Sequence, residues 1–299
     1  MIEYTEPRYK VMIIDCHTRI WASPAQLGTR AADWLLRNGG NKSLSADPGE
    51  LIAASDTVSK FLVWGFRSKY LQGDVPNAFL IDFVKRHPDK VLAVAAVDPT
   101  ESDATERLSN IADCEEFIGI TISPAAQGFH PADTRAMKIY QFCADHNLPV
   151  FIEIVSDLTP KTVMEFARPV LLDEIARTFP TLKIIIASMG YPWIDETIVL
   201  LEKQPMVLAD IAALLRKGWV AYEALLKAYQ AGVTNKLLFG SDFPFSTPAE
   251  AIERLYRLNE FTRGTSLPVI PREALRSILE QDALRRLGIH RVSNNSHSD

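Results

Sequence analysis

Polar and charged residues stand at the ends of short apolar runs in this sequence, where an ionisable side chain needs either a partner or a chemical role. The first run, VMIIDCHTRIW, carries Asp15, His17 and Arg19, which the two-residue period of a strand places on one face. Histidine and carboxylate side chains in such positions can ligate a metal or transfer protons. Comparable residues at the ends of later runs are Thr121, Glu153, Ser188 and Asp242.

Apolar runs rich in β-branched residues recur along the chain and alternate with segments of helical periodicity. The predicted strands are 11–18, 60–66, 91–98, 117–123, 149–154, 183–190, 206–212 and 236–244. Eight such repeats within about 250 residues match a closed (β/α)₈ TIM barrel better than an open doubly wound sheet. No G-x-G-x-x-G follows the first strand, which argues against a dinucleotide-binding fold.

The connection after the first strand, residues 22–59, is the longest in the chain. Loops that follow barrel strands form the active-site face, so this insertion either covers the mouth of the barrel or is a decorated surface loop. No run of turn residues divides the sequence, which predicts one domain over residues 1–299 with an N-terminal arm at 1–10. Amphipathic helices are predicted over 249–261 and 271–288, and the tail 291–299 is predicted to be disordered.

Composition and charge restrict the partners of this protein. The formal net charge of -5 gives no reason to expect nucleic acid or an anionic membrane surface as a partner. Its three cysteines show neither metal-finger nor disulfide-framework spacing, which suits a reducing compartment. The N-terminus lacks the pattern of a signal peptide, and no apolar run approaches the ~20 residues that span a bilayer. We therefore expect a cytoplasmic protein with a small-molecule ligand.

Several motifs together resemble a known family. The motifs are DCHTRIW, VLAVAAVDP, GITISPAAQGFHPAD, NLPVFIEI, KIIIASMGYPW and KLLFGSDFPF. In order and spacing they resemble the amidohydrolase superfamily, specifically the amidohydrolase-2 group that includes aminocarboxymuconate-semialdehyde decarboxylase and related hydrolases and lactonases. The resemblance covers residues 11–289. It implies an amidohydrolase-type TIM barrel, hydrolase or carboxy-lyase chemistry on a small molecule, and a homodimer as the suggested oligomer.

The resemblance also implies a set of site residues. The family pattern is H-x-H on the first strand, histidines ending the fifth and sixth strands, and aspartate ending the eighth. The first- and fifth-strand histidines and the aspartate hold a divalent metal, usually zinc, and the sixth-strand histidine is the acid/base. His17 and Asp242 match this pattern, whereas Arg19, Glu153 and Ser188 replace its other three residues.

These replacements change the chemistry that the site can perform. The Arg19 guanidinium cannot donate a lone pair to a metal, and Ser188 cannot shuttle protons near neutral pH. Glu153 could still ligate. Since a fixed cation would face the carboxylates of Glu153 and Asp242, we predict that Arg19 occupies the place of the metal. No cofactor is then expected. The alternative is one divalent ion, such as zinc, held by His17, Glu153 and Asp242.

Three functions remain open from the sequence. The first is a metal-free pseudoenzyme that binds a small molecule at the barrel mouth. The second is a hydrolase or decarboxylase with the remodelled metal site. The third is a metal-independent hydrolase of a lactone or carboxylated substrate, with Asp242 as general base and Arg19 holding a substrate carboxylate. The predicted catalytic residues are His17, Arg19, Glu153 and Asp242. The predicted ligand-binding residues are Arg19, His130, Tyr191 and Trp193.

Overall fold

The computed structural model describes residues 12–38, 44–154 and 159–289. The predicted N-terminal arm and the predicted disordered tail lie outside the described residues. Within the described part of the chain, no helix has the length and apolar character that crossing a bilayer requires.

Eight parallel strands form one sheet in the order β1-β2-β5-β6-β7-β8-β9-β10. The strands in chain order are β1 Ile14–Thr18, β2 Lys60–Trp64, β3 Phe66–Ser68, β4 Gly73–Val75, β5 Val91–Ala96, β6 Phe117–Ile122, β7 Val150–Ile152, β8 Ile184–Ile186, β9 Val207–Asp210 and β10 Leu237–Leu238. The first and last strands meet through backbone hydrogen bonds, as Cys16 N–H donates to the Phe239 carbonyl at 2.9 Å and Asp242 N–H to the His17 carbonyl at 3.1 Å. The sheet therefore closes on itself, and the predicted TIM barrel is confirmed.

Helices connect the strands and surround the barrel. They are α1 Thr29–Asn38, α2 Pro48–Ala53, α3 Asn77–Arg86, α4 Ala104–Ala112, α5 Pro124–Gln127, α6 Thr134–Asp145, α7 Leu172–Thr178, α8 Ile194–Lys203, α9 Gly218–Gln230, α10 Pro248–Arg257, α11 Arg272–Glu280 and α12 Ala283–Leu287. Local sequence fixes some of their ends. In α10, Thr247 and Glu250 form a capping box that satisfies two otherwise unpaired N–H groups, and Pro248 occupies the first turn, where it removes no hydrogen bond.

The strands are buried on both faces, which explains why they read as continuous apolar runs. In β2, Leu62 and Trp64 belong to the cluster inside the barrel, while Phe61 and Val63 belong to the core between the sheet and the helices. The inner cluster also contains Ile14 and Cys16 of β1, and α12 contributes residues to it. The alternation of side chains along each strand thus builds two apolar layers.

Most of the predicted barrel strands end one or two residues earlier than expected, and two end much earlier. The sixth predicted strand, 183–190, leaves the sheet after Ile186, and the eighth, 236–244, retains only Leu237–Leu238. Both truncated segments contain residues in the left-handed region, with φ of 50° at Ser188 and 64° at Asp242. A residue with this backbone conformation cannot continue a strand, so the chain turns there and presents its polar side chains at the mouth. The antiparallel hairpin of β3 and β4 was not predicted.

The expected common face of Asp15, His17 and Arg19 is wrong for Asp15. The pairing register between β1 and β2 shifts between Asp15 and Thr18. Cys16 belongs to the inner cluster, and the next residue, His17, stacks on Trp64 of the same cluster. A bulge of this kind re-aims side chains, so His17 faces the barrel interior while Asp15 points away from it.

Candidate functional site

A cavity of about 70 Å³ lies where the carboxyl ends of the strands meet. Its polar wall contains His17, Arg19, Glu153, Ser188 and Asp242, which the sequence had placed at strand ends. Its apolar wall includes Trp21, Leu27, Phe66, Leu71 and Phe245. One water molecule needs roughly 10–15 Å³ in this measure, so the cavity has room for several waters or a small organic group. Leu27 belongs to the long insertion, which therefore covers part of the mouth.

His17 is held on three sides. Its ring stacks on Trp64 with 3.9 Å between ring centroids. Its Nδ1 lies 3.0 Å from Asp210 Oδ2, and its Nε2 lies 3.4 Å from Arg19 Nη2. A carboxylate only accepts hydrogen bonds and a guanidinium only donates them, so these partners favour the tautomer with hydrogen on Nδ1. A metal-binding histidine is supported in the same way, by a carboxylate on its other nitrogen. Here the nitrogen opposite the carboxylate faces the Arg19 guanidinium.

Arg19 joins the first and fifth barrel strands, β1 and β7. Its Nη2 lies 2.7 Å from Glu153 Oε1, as an ion pair. Glu153 directly follows β7, and its N–H donates to the Ile122 carbonyl at 2.9 Å, which fixes the carboxylate against the neighbouring strand end. The predicted contact of Arg19 with a carboxylate is thus confirmed for Glu153. Arg19 Nε is buried and has no hydrogen-bond partner among the described residues.

Asp242 pairs with a cation that sequence reasoning missed. Arg216 Nε lies 2.8 Å from Asp242 Oδ2, as an ion pair rather than an aligned hydrogen bond. The guanidinium also lies over the Phe245 ring, 5.0 Å from its centroid. The expectation that Arg19 alone balances both Glu153 and Asp242 therefore needs correction. Arg216 ends a short 3-10 turn after β9, and nothing in the sequence distinguished it from a surface arginine.

Asp210 is the second residue that sequence reasoning missed. It ends β9, is fully buried, and links three strand ends. Besides contacting His17, it accepts hydrogen bonds from the N–H groups of Ser188 and Ala212, both at 2.9 Å. An acidic residue that ends a buried apolar strand was the signal that identified Glu153, and the segment MVLAD carries the same signal.

Ser188 occupies the position of the sixth-strand histidine. Its backbone and that of Met189 both have φ of 50°, and its Oγ accepts a hydrogen bond from Ala213 N–H at 3.2 Å. The side chain is buried and borders the cavity. Its hydroxyl supports the neighbouring loop and provides no group that titrates near neutral pH.

Asp15 is a buried carboxylate behind the cavity wall. Its Oδ1 accepts hydrogen bonds from Ser241 N–H at 2.9 Å and His17 N–H at 3.3 Å, whereas Oδ2 has no partner in the described structure. Burial raises the pKa of Asp15 from 3.8 to about 7, and the hydrogen bonds from Ser241 only partly oppose this shift. Asp15 thus ties the first strand to the loop that carries Asp242.

Three predicted ligand-binding residues, His130, Tyr191 and Trp193, do not line the cavity. His130 accepts a hydrogen bond from Ala132 N–H at 3.1 Å and is exposed. Tyr191 and Trp193 are half-buried against the helical core, and Lys217 Nζ lies 4.7 Å from the centroid of the Tyr191 ring. None of His130, Tyr191 and Trp193 is among the residues that line the cavity. Their role in ligand binding stays a prediction.

The residues at the mouth do not fit a divalent metal. Among the described residues, no group of three or more histidine, cysteine, aspartate or glutamate side chains is arranged to hold a metal ion. The alternative ligand set of His17, Glu153 and Asp242 lines one cavity, but Glu153 and His17 Nε2 already contact Arg19, and Asp242 contacts Arg216. Arg19 in particular contacts both His17 and Glu153, and a guanidinium at that point repels a cation.

The family of this chain follows from a match of its sequence to a family model. The amidohydrolase family model matches residues 14–289. The chain therefore belongs to the amidohydrolase family, as its motifs indicated. No curated protein sequence matches it.

Solved structures resemble the fold over nearly its full length. An uncharacterized TIM-barrel protein from Bordetella bronchiseptica is 22% identical with a TM-score of 0.69, covering 93% of this chain and 99% of that one. A probable 2-pyrone-4,6-dicarboxylic acid hydrolase from Acinetobacter baumannii, with citric acid bound, is 15% identical with a TM-score of 0.64, covering 92% and 99%. A dihydroxybenzoic acid decarboxylase from Polaromonas sp., with bound manganese and the inhibitor 2-nitroresorcinol, is 14% identical with a TM-score of 0.67, covering 96% and 99%. At these identities the likeness shows the fold alone.

Proposed function

We propose that this chain is a metal-independent member of the amidohydrolase family that binds a small carboxylated molecule at the barrel mouth. The observation that carries the proposal is the position of the Arg19 guanidinium, 2.7 Å from Glu153 Oε1 and 3.4 Å from His17 Nε2. The side chains at the family's ligand positions thus already surround a fixed positive charge. A second cation in the same place would have to displace it.

The carboxylated ligand is inferred from the donors that Arg19 keeps. An arginine has five N–H donors in a planar fork, and its contacts with Glu153 and His17 both use Nη2. The Nη1 group takes part in neither contact and is available to a ligand, and a guanidinium recognises a carboxylate better than other groups of similar size. The Arg19 side chain is 17% exposed, so it faces the cavity without being open to bulk solvent.

The rest of the cavity favours an apolar or ring-shaped body on that ligand. Trp21, Phe66 and Phe245 supply aromatic surface around the polar residues, an arrangement typical of small-molecule sites. The citric acid bound in the Acinetobacter structure supports a carboxylated ligand for this fold. Citrate and 2-pyrone-4,6-dicarboxylate are therefore the first probes.

Metal analysis and calorimetry test this proposal. Protein purified without chelators should contain far less than one equivalent of zinc or manganese, and at least one of the two probes should bind. Arg19→Gln should weaken that binding at least tenfold, since a lost charge-assisted contact is worth ~1.5–3 kcal/mol. Arg86→Gln, which removes a solvent-exposed arginine of α3, is the matched control and should bind as the parent does. One equivalent of zinc surviving extended dialysis would contradict the proposal.

A second candidate function is metal-independent hydrolysis of a lactone, with Asp242 as general base. The observation that favours it is the Asp242 carboxylate, which borders the same cavity as Arg19 and can accept a proton from water. Ring opening of 2-pyrone-4,6-dicarboxylate, followed by ultraviolet absorbance, tests it. Asp242→Asn should lower kcat by roughly 10²–10⁴ while leaving probe binding measurable. Binding of the pyrone without any turnover by the parent would leave the protein as a binding pseudoenzyme.

A further inference from the structure

We infer that Arg19 and Arg216 together replace the divalent metal, each supplying one of its two positive charges to one carboxylate. This inference rests on the metal independence proposed above and adds a residue, Arg216, that lies outside the family's motif positions. The mouth would then bind a metal only after both arginine cations have been removed.

The two pairs are built alike from different parts of the chain. Arg19 follows β1 and pairs with Glu153 after β7, while Arg216 follows β9 and pairs with Asp242 after β10. The separations are nearly equal, 2.7 and 2.8 Å. Each guanidinium therefore links two strand ends, as a metal does when its ligands come from several strands.

Burial explains why two cations are needed. The side chains of Glu153 and Asp242 are only 7% and 9% exposed, so neither carboxylate can rely on water for solvation. A dication between them would balance both charges at once. A single arginine balances one and would leave the other uncompensated, which is strongly unfavourable in a buried site.

Arg216 is also fixed in a way that a mobile surface arginine is not. Its guanidinium lies over the Phe245 ring at 5.0 Å, and Phe245 N–H donates to the Asp242 carbonyl at 2.8 Å. The Arg216 guanidinium thus contacts both the Phe245 ring and the Asp242 carboxylate, and both of these residues lie in the loop after β10. This stacking favours a planar guanidinium over an ammonium group.

The inference predicts that restoring the histidine of the first strand is insufficient to restore a metal. Arg19→His adds an imidazole and removes one cation, but Asp242 stays paired with Arg216. Only Arg19→His combined with Arg216→Gln frees the donors of His17, Glu153 and Asp242 together. The two substitutions should therefore act cooperatively on metal affinity.

The test is the melting temperature of four variants with and without zinc. In zinc at about 100 times its Kd, Arg19→His/Arg216→Gln should melt about 5 °C higher than without metal. Arg19→His alone should gain less than half of that shift, and Arg216→Gln alone should gain none. Arg86→Gln is the control for loss of an exposed arginine and should not respond. An equal zinc response from Arg19→His alone, or none from the folded double variant, would overturn the inference.

A second measurement covers the case in which the double variant does not fold. In metal-free protein, Arg216→Met should lower the melting temperature, and adding Asp242→Asn should recover part of the loss because a neutral amide then replaces the carboxylate that lost this cation. Arg19→Met with Glu153→Gln should behave in the same way. Absence of recovery for the Arg216 pair would contradict its share in the replacement. Stoichiometric zinc in the parent would instead contradict the metal independence itself, so the two failures are distinguishable.

Discussion

Arginine–carboxylate pairs occur both at the barrel mouth and on the outer helical surface, with similar separations and different surroundings. At the mouth, Arg19 and Glu153 are 17% and 7% exposed at 2.7 Å. On α3, Arg86 and Asp82 are 53% and 68% exposed at 2.9 Å. Water solvates the charges of the outer pair whether or not the pair forms. Each buried charge at the mouth, by contrast, is stabilised mainly by its partner. Burial, and not the distance between the charges, therefore decides how much such a pair contributes to stability.

Asp15 differs from the carboxylates of both pairs, because it is buried and no arginine contacts it in the described structure. Its Oδ1 accepts hydrogen bonds from the backbone N–H groups of Ser241 and His17. Burial accordingly raises its pKa to about 7. Buried acids near the mouth are thus stabilised in two ways, by pairing with a guanidinium or by a raised pKa that favours the protonated, uncharged form.

The largest expected effect is the pH dependence that Asp15 imposes on stability. Its native pKa of about 7 lies above its ordinary value of 3.8, so the folded state retains a proton that the unfolded state releases. The favourable contribution is complete below pH 3.8 and is lost as the pH rises through 7. Relative to Asp15→Asn, the parent should lose up to about 4 kcal/mol between pH 4 and pH 8. Urea unfolding of both proteins across this range measures the difference, and parallel curves would refute it.

The next largest effect is expected from Arg19→Ala. The substitution leaves Glu153 buried without its cation and removes the donor opposite His17 Nε2. The free energy of unfolding should fall by about 3 kcal/mol, reduced from the fully buried case because water can enter the mouth. Denaturant titration measures it. Adding Glu153→Gln should recover part of the loss, and an unchanged midpoint for Arg19→Ala would show that the pair resembles a surface pair.

A smaller loss is expected from Arg216→Ala. Its guanidinium is 25% exposed and also contacts the Phe245 ring, so both an ion pair and a cation–π contact disappear. We expect about 2 kcal/mol of destabilisation. Arg216→Lys separates the two contributions, since it keeps the charge but loses the stacked guanidinium plane. Equal losses from the Ala and Lys variants would assign the effect to stacking and geometry and not to charge.

The smallest effect is expected on the outer surface. Arg86→Ala removes one member of an exposed pair within a single helix, and its partner Asp82 remains solvated. The cost should be about 0.3 kcal/mol and should diminish in 1 M salt. Thermal unfolding at low and high salt measures it. A loss comparable with that of Arg19→Ala would break the distinction between mouth and surface.

The sequence predicted the barrel because its pattern is repeated and local. The predicted strands are apolar runs rich in β-branched residues, and most of the predicted helices are amphipathic, so the alternation of strands and helices can be recognised without knowledge of any contact. The strand-end rule then identified His17, Arg19, Glu153 and Asp242 as residues that meet at one mouth. The ends of strands were predicted less well, because the left-handed turns at Ser188 and Asp242 are imposed by the surrounding loops.

Which charges pair was decided by tertiary structure. From the sequence, Arg19 was predicted to face two carboxylates. In the folded chain, Arg216 from the turn after β9 pairs with Asp242, and Asp210 from the end of β9 contacts His17. The bulge between Asp15 and Thr18 likewise decides that His17, and not Asp15, faces the barrel interior. Residue types and strand ends are written along the chain and can be read locally. The polar pairs of the site join residues that lie as far apart as 193 positions, and which side chains pair depends on closure of the barrel, which no local pattern encodes.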